Sequence, residues 1–512
     1  MQKMNESSQD LLKVEEIQQS NIAHAVTETK WTFDNVINAL RLIAVPTNIP
    51  ITGFSIDSRE IMQGQVFIAL KGKRVDGHDY IEQAFMNGAV MAIVSQPDLQ
   101  SLNGRSYICV PDTKFALMNL AQYARGRTYA TIVGISGSVG KTTVRHWIAT
   151  LLSIADDTVS TKRNFNGQIG LPLSMTELGE NTDFGIFEIG IDAPDTMLPL
   201  ATLCSPHVAV LTPIAKAHLA NFDSIDALAS EKALLFSGLS HNGIVVADCK
   251  SCKLFPVIQL LAKEYGAIDI VTVGFDEDAM VRIIKSEENL ENCITHVVVN
   301  IAGVVVEYSI PIFGSHFVLD SAIALASAIS ASYKGTFASI ISEHADEIKN
   351  IFIPLMNTLA LLEGRGQSFS ISLSSGGQVT IIDDAYNANI ASMLAGIESL
   401  IKHPGKRRIA VIGDMLDLGG ESHFLHEQLF SALDCVDCVY AVGEVVRPFF
   451  STLPKQKQCT WAATVAEIEP QLIKDFTDGD VVWIKSSHNV GLNKLVEKLR
   501  RLRDDAASCV AA

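Results

Sequence analysis

The chain has 512 residues, of which 48% are hydrophobic and 19% charged, and its formal net charge is −17. At about 150 residues per domain this length holds roughly three domains with buried cores, and no run reaches the ~18 consecutive apolar residues of a membrane span. The negative balance excludes a protein built chiefly to hold nucleic acid, which needs clustered Lys and Arg, whereas anionic small molecules need only local positive groups.

Residues 1–27 are polar and mixed in charge. They lack the apolar core of a signal peptide, so they are expected to be a tail on a cytoplasmic protein. Residues 28–125 mix short strands and helices. FSIDSREIMQGQVFIAL holds extended alternating stretches, and IEQAFMNGAVMAIVS reads as a helix, a stop at Gly88, then a strand. In residues 126–355 a β-rich run, TIVGI, precedes a glycine loop. After the loop, Val144, Trp147, Ile148, Leu151 and Leu152 recur at helical spacing. FGIFEIG, HVAVLTPI, GIVVADC and DIVTVGF are further strand candidates between helical patterns, which implies a parallel sheet with right-handed crossovers. Residues 356–512 repeat this order with QVTIIDDAY, RRIAVIGDM, CVYAVG and VVWIKSS. They end in a helix carrying Leu492, Leu495, Val496, Leu499 and Leu502 on one face, as in an open α/β domain.

Nine cysteines include two CxxC spacings, Cys249 with Cys252 and Cys435 with Cys438. A zinc site from both would need segments about 180 residues apart to meet without supporting histidine spacing. Reduced thiols, some of them in the core, are the expectation.

The loop reads Gly134-Ile135-Ser136-Gly137-Ser138-Val139-Gly140-Lys141-Thr142-Thr143. Between a strand and a helix, such glycines let backbone N–H groups curl around phosphate oxygens, and the helix N-terminus adds its positive end. Lys141 would reach the β- and γ-phosphates and the Thr142 hydroxyl a magnesium ion. Ile135 stands where the strict pattern has its first glycine, so the loop is a variant. The loop alone does not choose among GTPases, kinases and ligases.

The segments that follow narrow the choice. Gly137 to Thr143 resembles the ATP loop of the Mur ligases and their folylpolyglutamate synthase relatives. Asn164-Phe165-Asn166-Gly167-Gln168-Ile169-Gly170-Leu171-Pro172 matches the family's N-x-N-x-x-x-G-x-P segment. Glu188, Ala217-His218-Leu219 and Ser230-Glu231-Lys232 follow in the family's order, and the likeness runs from about residue 50 to 500. Asp383-Asp384-Ala385-Tyr386-Asn387-Ala388-Asn389 with Ser392-Met393, and Gly413-Asp414-Met415-Leu416-Asp417-Leu418-Gly419 with His426, resemble the signatures of the members that add D-alanyl-D-alanine. Asp57-Ser58-Arg59 and Gly77-His78-Asp79-Tyr80 resemble the UDP-binding domain.

The resemblance implies an α/β chain of three domains: a small N-terminal UDP-binding domain, a central P-loop parallel-sheet ATPase domain and a C-terminal Rossmann-like domain. The activity it implies is ATP-dependent ligation of D-alanyl-D-alanine to UDP-N-acetylmuramoyl-tripeptide through an acyl phosphate. The chain would act as a monomer, with no nucleic acid partner and no membrane insertion. ATP and two Mg²⁺ ions are the implied cofactors. Catalysis would rest on Lys141, Lys232, His218 and Glu188, and the metals on Thr142, Glu188, His218 and a Lys232 carbamate. ATP would contact Gly137, Ser138, Val139, Gly140, Lys141, Thr142, Thr143, Arg365 and Asn387; the other substrates would contact Ser58, Arg59, Lys71, Asn164, Asn166, Tyr386 and Asn389. Read from the residues alone, Glu188 could instead be a strand-end surface carboxylate, Lys232 a snorkelling lysine and the asparagines an Asx-rich turn. Leu228, Lys232 and Leu235 share a helical face, so Lys232 is expected to point inward. The chain departs from the family pattern at Ile390 (usually proline), Ser486 (usually glycine), Asp320 (usually asparagine) and Ala247-Asp248. A further departure is the Ile189-Gly190-Ile191-Asp192 run after Glu188.

Overall fold

The computed structural model describes residues 31–43, 48–72, 74–97, 99–153, 157–215, 221–248, 255–416 and 418–510. The expected tail, His218, Cys249, Cys252 and Asp417 lie outside the described residues. Two compact units divide the chain. One reaches to residue 132 and includes 152–189 and 202–205; the other comprises 133–151, 190–201 and the chain from 206.

In the first unit, four short parallel strands pair in the order Gly53–Ser55, Gln65–Ile68, Met91–Val94, Tyr107–Cys109. Both expected segments are there. The helix Ile81–Met86 stops before Gly88, whose φ of +115° suits glycine, and the strand Met91–Val94 follows. Trp31 is buried. Its indole N–H donates to the Thr176 carbonyl at 2.8 Å, its ring meets Phe54 edge-on at 4.9 Å, and the Arg127 guanidinium lies 4.3 Å above it. These contacts bind the first strands to the helix Gly170–Met175. The strands Thr158–Ser160 and Phe184–Glu188 run parallel in the same unit.

In the second unit the strands Thr131–Ser136, Val208–Leu211, Ile244–Asp248 and Asp269–Gly274 are parallel neighbours in that order. The helix Lys141–Leu152 buries Val144, Trp147, Ile148, Leu151 and Leu152, the stripe that the spacing predicts. The helix Ser315–Ser332 is long and apolar enough to cross a membrane by length and composition. In this fold it is a core helix, with every residue from Ser321 to Ala331 buried. The parallel sheet expected of this region is present in these strands, and it continues beyond them. Val281–Asn289, Ile294–Ile301 and Val304–Ile310 add an antiparallel meander at the edge. In the last two of these strands buried residues alternate with more exposed ones, as in a sheet with one solvated face.

A further sheet in this unit has the order Gln367–Ser372, Gln378–Asp383, Asp480–Lys485, Arg407–Gly413, Cys438–Val442, Gln458–Ala462. All its strands are parallel except the first. Leu492, Leu495, Val496 and Leu499 are buried against it, while Leu502 is exposed. Cys438 forms a disulfide with Cys459 on the neighbouring strand rather than staying reduced, and Cys435 remains a free, exposed thiol.

Candidate active site

The phosphate loop leaves the strand Thr131–Ser136 and enters the helix Lys141–Leu152. Gly137 and Gly140 hold φ of +142° and +80°, and a Cβ at Gly137 would stand 2.0 Å from Thr212 Oγ1. Only glycine fits both the backbone and the space. The Thr212 hydroxyl donates to the Val139 carbonyl at 2.6 Å and so pins the loop from beneath. Lys141 folds over the loop, donating to the Gly137 and Ser138 carbonyls at 3.0 and 3.4 Å. The Ser138 hydroxyl is buried with no hydrogen-bond partner among the described residues, as is Arg365 Nε. Such orphans are costly unless a ligand oxygen satisfies them, so these residues fit a nucleotide's phosphates. Thr143 is buried behind them.

Asp320, on the helix Ser315–Ser332, backs this loop. A Cβ added to Gly140 would stand 2.3 Å from its Oδ1. Burial pushes the Asp320 carboxyl up to about 7, against the pull of the Arg365 guanidinium, while the Asp248 carboxylate pushes the same way as burial. The departure from asparagine thus places an ionisable group directly behind the loop glycine.

Arg365 follows Gly364, which sits at φ +73°. Its Nη2 donates to Thr142 Oγ1 at 3.1 Å, and its guanidinium stacks 4.1 Å above the Tyr386 ring. Asp383 shapes this turn by accepting from the Gly364 N–H at 2.9 Å and from Arg500 at 3.0 Å. Asn387 is exposed, and its side-chain oxygen accepts from the Ala388 N–H at 2.9 Å. Asn389 caps the helix Ile390–Lys402: it accepts from the Ser392 N–H at 2.9 Å, and the Ser392 hydroxyl accepts from the Asn389 N–H at 3.1 Å. Ile390 is therefore the first helical residue. Proline is favoured there because no intrahelical N–H is needed, but other residues are allowed. Ser486 is buried against Gly413, where a Cβ would stand 2.6 Å from that of Ser486. The buried Lys485 ammonium pairs with Asp384 at 2.8 Å. Burial lowers the lysine and raises the aspartate, and their mutual attraction opposes both shifts.

In the first unit Glu188 ends its strand only 3% exposed, so it is not a surface carboxylate. It accepts from the Asn166 amide at 2.8 Å, and its own N–H donates to Thr161 Oγ1 at 3.0 Å. Asn164 is exposed, and its carbonyl accepts from the Asn166 N–H at 2.8 Å. Ser58 is buried and its hydroxyl donates to Gln83 Oε1 at 2.7 Å. Arg59 is exposed and pairs with Asp57 at 2.6 Å, which holds the Asp57 carboxyl below the usual carboxylate range. Lys71 is exposed and bridges Asp76 through its backbone.

Lys232 lies on the helix Ile225–Ala233, 1% exposed, on one face with the buried Leu228 and Leu235, so it points inward as expected. Its neighbour Glu231 accepts from the Thr196 and Met197 N–H groups at 3.0 and 2.9 Å, capping the helix Met197–Cys204. Sequence reasoning passed over this role because the two partners are 34 and 35 residues away.

Three family models match in succession: "Mur ligase family, catalytic domain" over residues 50–122, "Mur ligase middle domain" over 135–328, and "Mur ligase, glutamate ligase domain" over 369–488. The UDP-N-acetylmuramoyl-tripeptide–D-alanyl-D-alanine ligase of Escherichia coli is 30% identical over 411 residues, 78% of this chain and 82% of that one. The chain belongs to the Mur ligase family. The ligase of the same name from Rickettsia prowazekii is 28% identical over 89% of this chain and 96% of its own. Among solved structures, MurF from Acinetobacter baumannii superposes with a TM-score of 0.76 at 24% identity, covering 92% of this Mur ligase and 98% of that chain. MurF from Thermotoga maritima in complex with ADP gives 0.71 at 25% identity over 89% and 98%. The three α/β domains expected of this Mur ligase are those of its family.

Proposed function

We propose that this Mur ligase joins D-alanyl-D-alanine to UDP-N-acetylmuramoyl-tripeptide at the expense of ATP, completing the pentapeptide precursor of peptidoglycan in the cytoplasm as a monomer. The relatives of E. coli and R. prowazekii bear that activity in their names. The observation that carries the reading is the Arg365 guanidinium, which donates to Thr142 of the phosphate loop at 3.1 Å while stacked on Tyr386 of the YNAN segment. It ties the nucleotide machinery to the signature that marks the D-alanyl-D-alanine-adding members.

In this mechanism a carboxylate oxygen of the tripeptide attacks the γ-phosphorus of ATP and the bond to ADP breaks. The dipeptide amine then attacks the acyl carbon, loses its proton, and expels phosphate carrying the former carboxylate oxygen. Such transfers depend on positioning and charge neutralisation. Lys141, the Gly137–Thr143 amides and Arg365 are assigned to the phosphates, and Asn387 to the nucleotide. Ser58, Arg59 and Lys71 are assigned to the UDP end, Asn164 and Asn166 to the tripeptide, and Tyr386 and Asn389 to the dipeptide. Thr142, Glu188, His218 and Lys232, the last as a carbamate, are assigned to magnesium, which when bound adds positive charge to offset that of the phosphates. The buried carboxylate of Glu188, oriented by Asn166, offers the hard oxygens that such an ion takes.

Incubation with ATP, a magnesium salt, the tripeptide precursor and D-alanyl-D-alanine tests the reading by product mass. Pentapeptide from the native chain and none from Lys141→Ala is the expected result. Product only from the dipeptide precursor with a diamino acid would move the chain to a neighbouring family member.

A further inference from the structure

We propose that Arg163 and Glu60 read the third residue of the peptide, selecting a side chain that ends in both an ammonium and a carboxylate over one that ends in an ammonium alone. The inference rests on the ligase reading above and deepens it. Arg163 sits at φ +50°, a left-handed setting that costs an L residue, and its Nη1 stands 2.6 Å from each Glu60 oxygen. The two side chains are 65% and 47% exposed, and an ion pair so exposed adds little stability. The strain is therefore not offset by the pair, and strain of this kind collects where a chain binds or reacts.

The position suits the role. Glu60 directly follows Ser58 and Arg59, assigned to the nucleotide end of the substrate. Arg163 precedes Asn166 by three residues, a reach of about 10 Å at most, and Asn166 orients Glu188. All of these residues belong to the first unit. The peptide of the substrate lies chemically between its nucleotide and its reacting carboxylate, which is where this pair stands along the chain of contacts.

The charges suit it as well. Arg163 engages Glu60 through a single nitrogen, so a fork of guanidinium N–H groups can meet a second carboxylate. A zwitterionic terminus gives its carboxylate to Arg163 and its ammonium to Glu60, turning one ion pair into a closed set of four charges. A terminus with only an ammonium competes with Arg163 for Glu60 and leaves the guanidinium without its anion.

The test is kcat/KM for tripeptide precursors carrying meso-diaminopimelate or L-lysine at the third position, with ATP and D-alanyl-D-alanine saturating. The native chain is expected to favour the first by about tenfold or more, the scale of one selective charge contact. In Arg163→Gly, which also suits the left-handed backbone, the ratio is expected to fall within about twofold of unity through a raised KM for the diaminopimelate substrate. Glu60→Gln is expected to raise KM for both substrates, since both carry the ammonium. Equal kcat/KM in the native chain, a ratio that persists in Arg163→Gly, or an equal loss of kcat for both substrates would overturn the inference. Absence of product from either tripeptide would overturn the ligase reading itself and the inference with it.

Discussion

Asp320→Asn should stabilise this protein, and by an amount that grows with pH. The substitution keeps the side chain's shape behind Gly140 and removes its ionisation. The folded-state carboxyl is raised from 3.8 to about 7 by burial, so between those values the native chain binds this proton and the unfolded chain does not. Stability contributed by the protonated form is therefore lost as pH rises, and above pH 7 the full penalty of the charged form remains. At 1.36 kcal/mol per pKa unit, about three units give a penalty of up to about 4 kcal/mol at pH 8 and only about 1–2 kcal/mol at pH 5. Urea unfolding of both proteins from pH 5 to 8 measures the difference in stability, in which the other titrating groups cancel. A gain that climbs by a few kcal/mol across that range is expected. A gain flat in pH, or an asparagine variant less stable at pH 8, would refute the claim that Asp320 is held as a costly anion behind the loop.

Gly396→Ala places a methyl 2.2 Å from Trp483 Cζ2 in a closed core, and overpacking of that kind costs about 1–3 kcal/mol, read as a fall in Tm. Asn389→Ala removes the cap of the helix Ile390–Lys402 and should cost about 1 kcal/mol in urea unfolding; an unchanged midpoint would mean the cap is idle. Arg163→Gly gives up an exposed ion pair that adds little stability and relieves a left-handed residue, while glycine adds freedom to the unfolded chain, so these opposing effects should leave Tm close to native, which calorimetry can check.

Much of the fold was legible because its signals are local. The stripe from Val144 to Leu152 sets a helix after TIVGI, and Gly88 ends another, each within a few residues of its cause. The meander from Val281 to Ile310 has its own signal, the alternation in THVVVNI and the Ala302-Gly303 turn, but it is a weaker one, because Lys285, Glu287 and Glu288 break the apolar run that marks a buried parallel strand. In the candidate site, the loop between strand and helix was legible by motif, and so was the place of Glu188 at a strand end. The partners of those residues were not, since Thr212, Asp320 and Arg365 lie 73, 180 and 223 residues from Val139, Gly140 and Thr142. Asn389 was assigned to substrate from its motif, and only the structure reveals its work as a cap. The disulfide joins Cys438 to Cys459 on a strand that is its neighbour in space, a pairing that the spacing of cysteines along the chain does not signal, so reduced thiols were expected there.

The most direct test of the proposed chemistry follows one oxygen atom. The reacting carboxylate of the tripeptide precursor is labelled with ¹⁸O and turned over with ATP and D-alanyl-D-alanine, and the released phosphate is analysed by mass. Passage through an acyl phosphate delivers one labelled oxygen to each phosphate formed, in step with pentapeptide. Pentapeptide accompanied by unlabelled phosphate would contradict it.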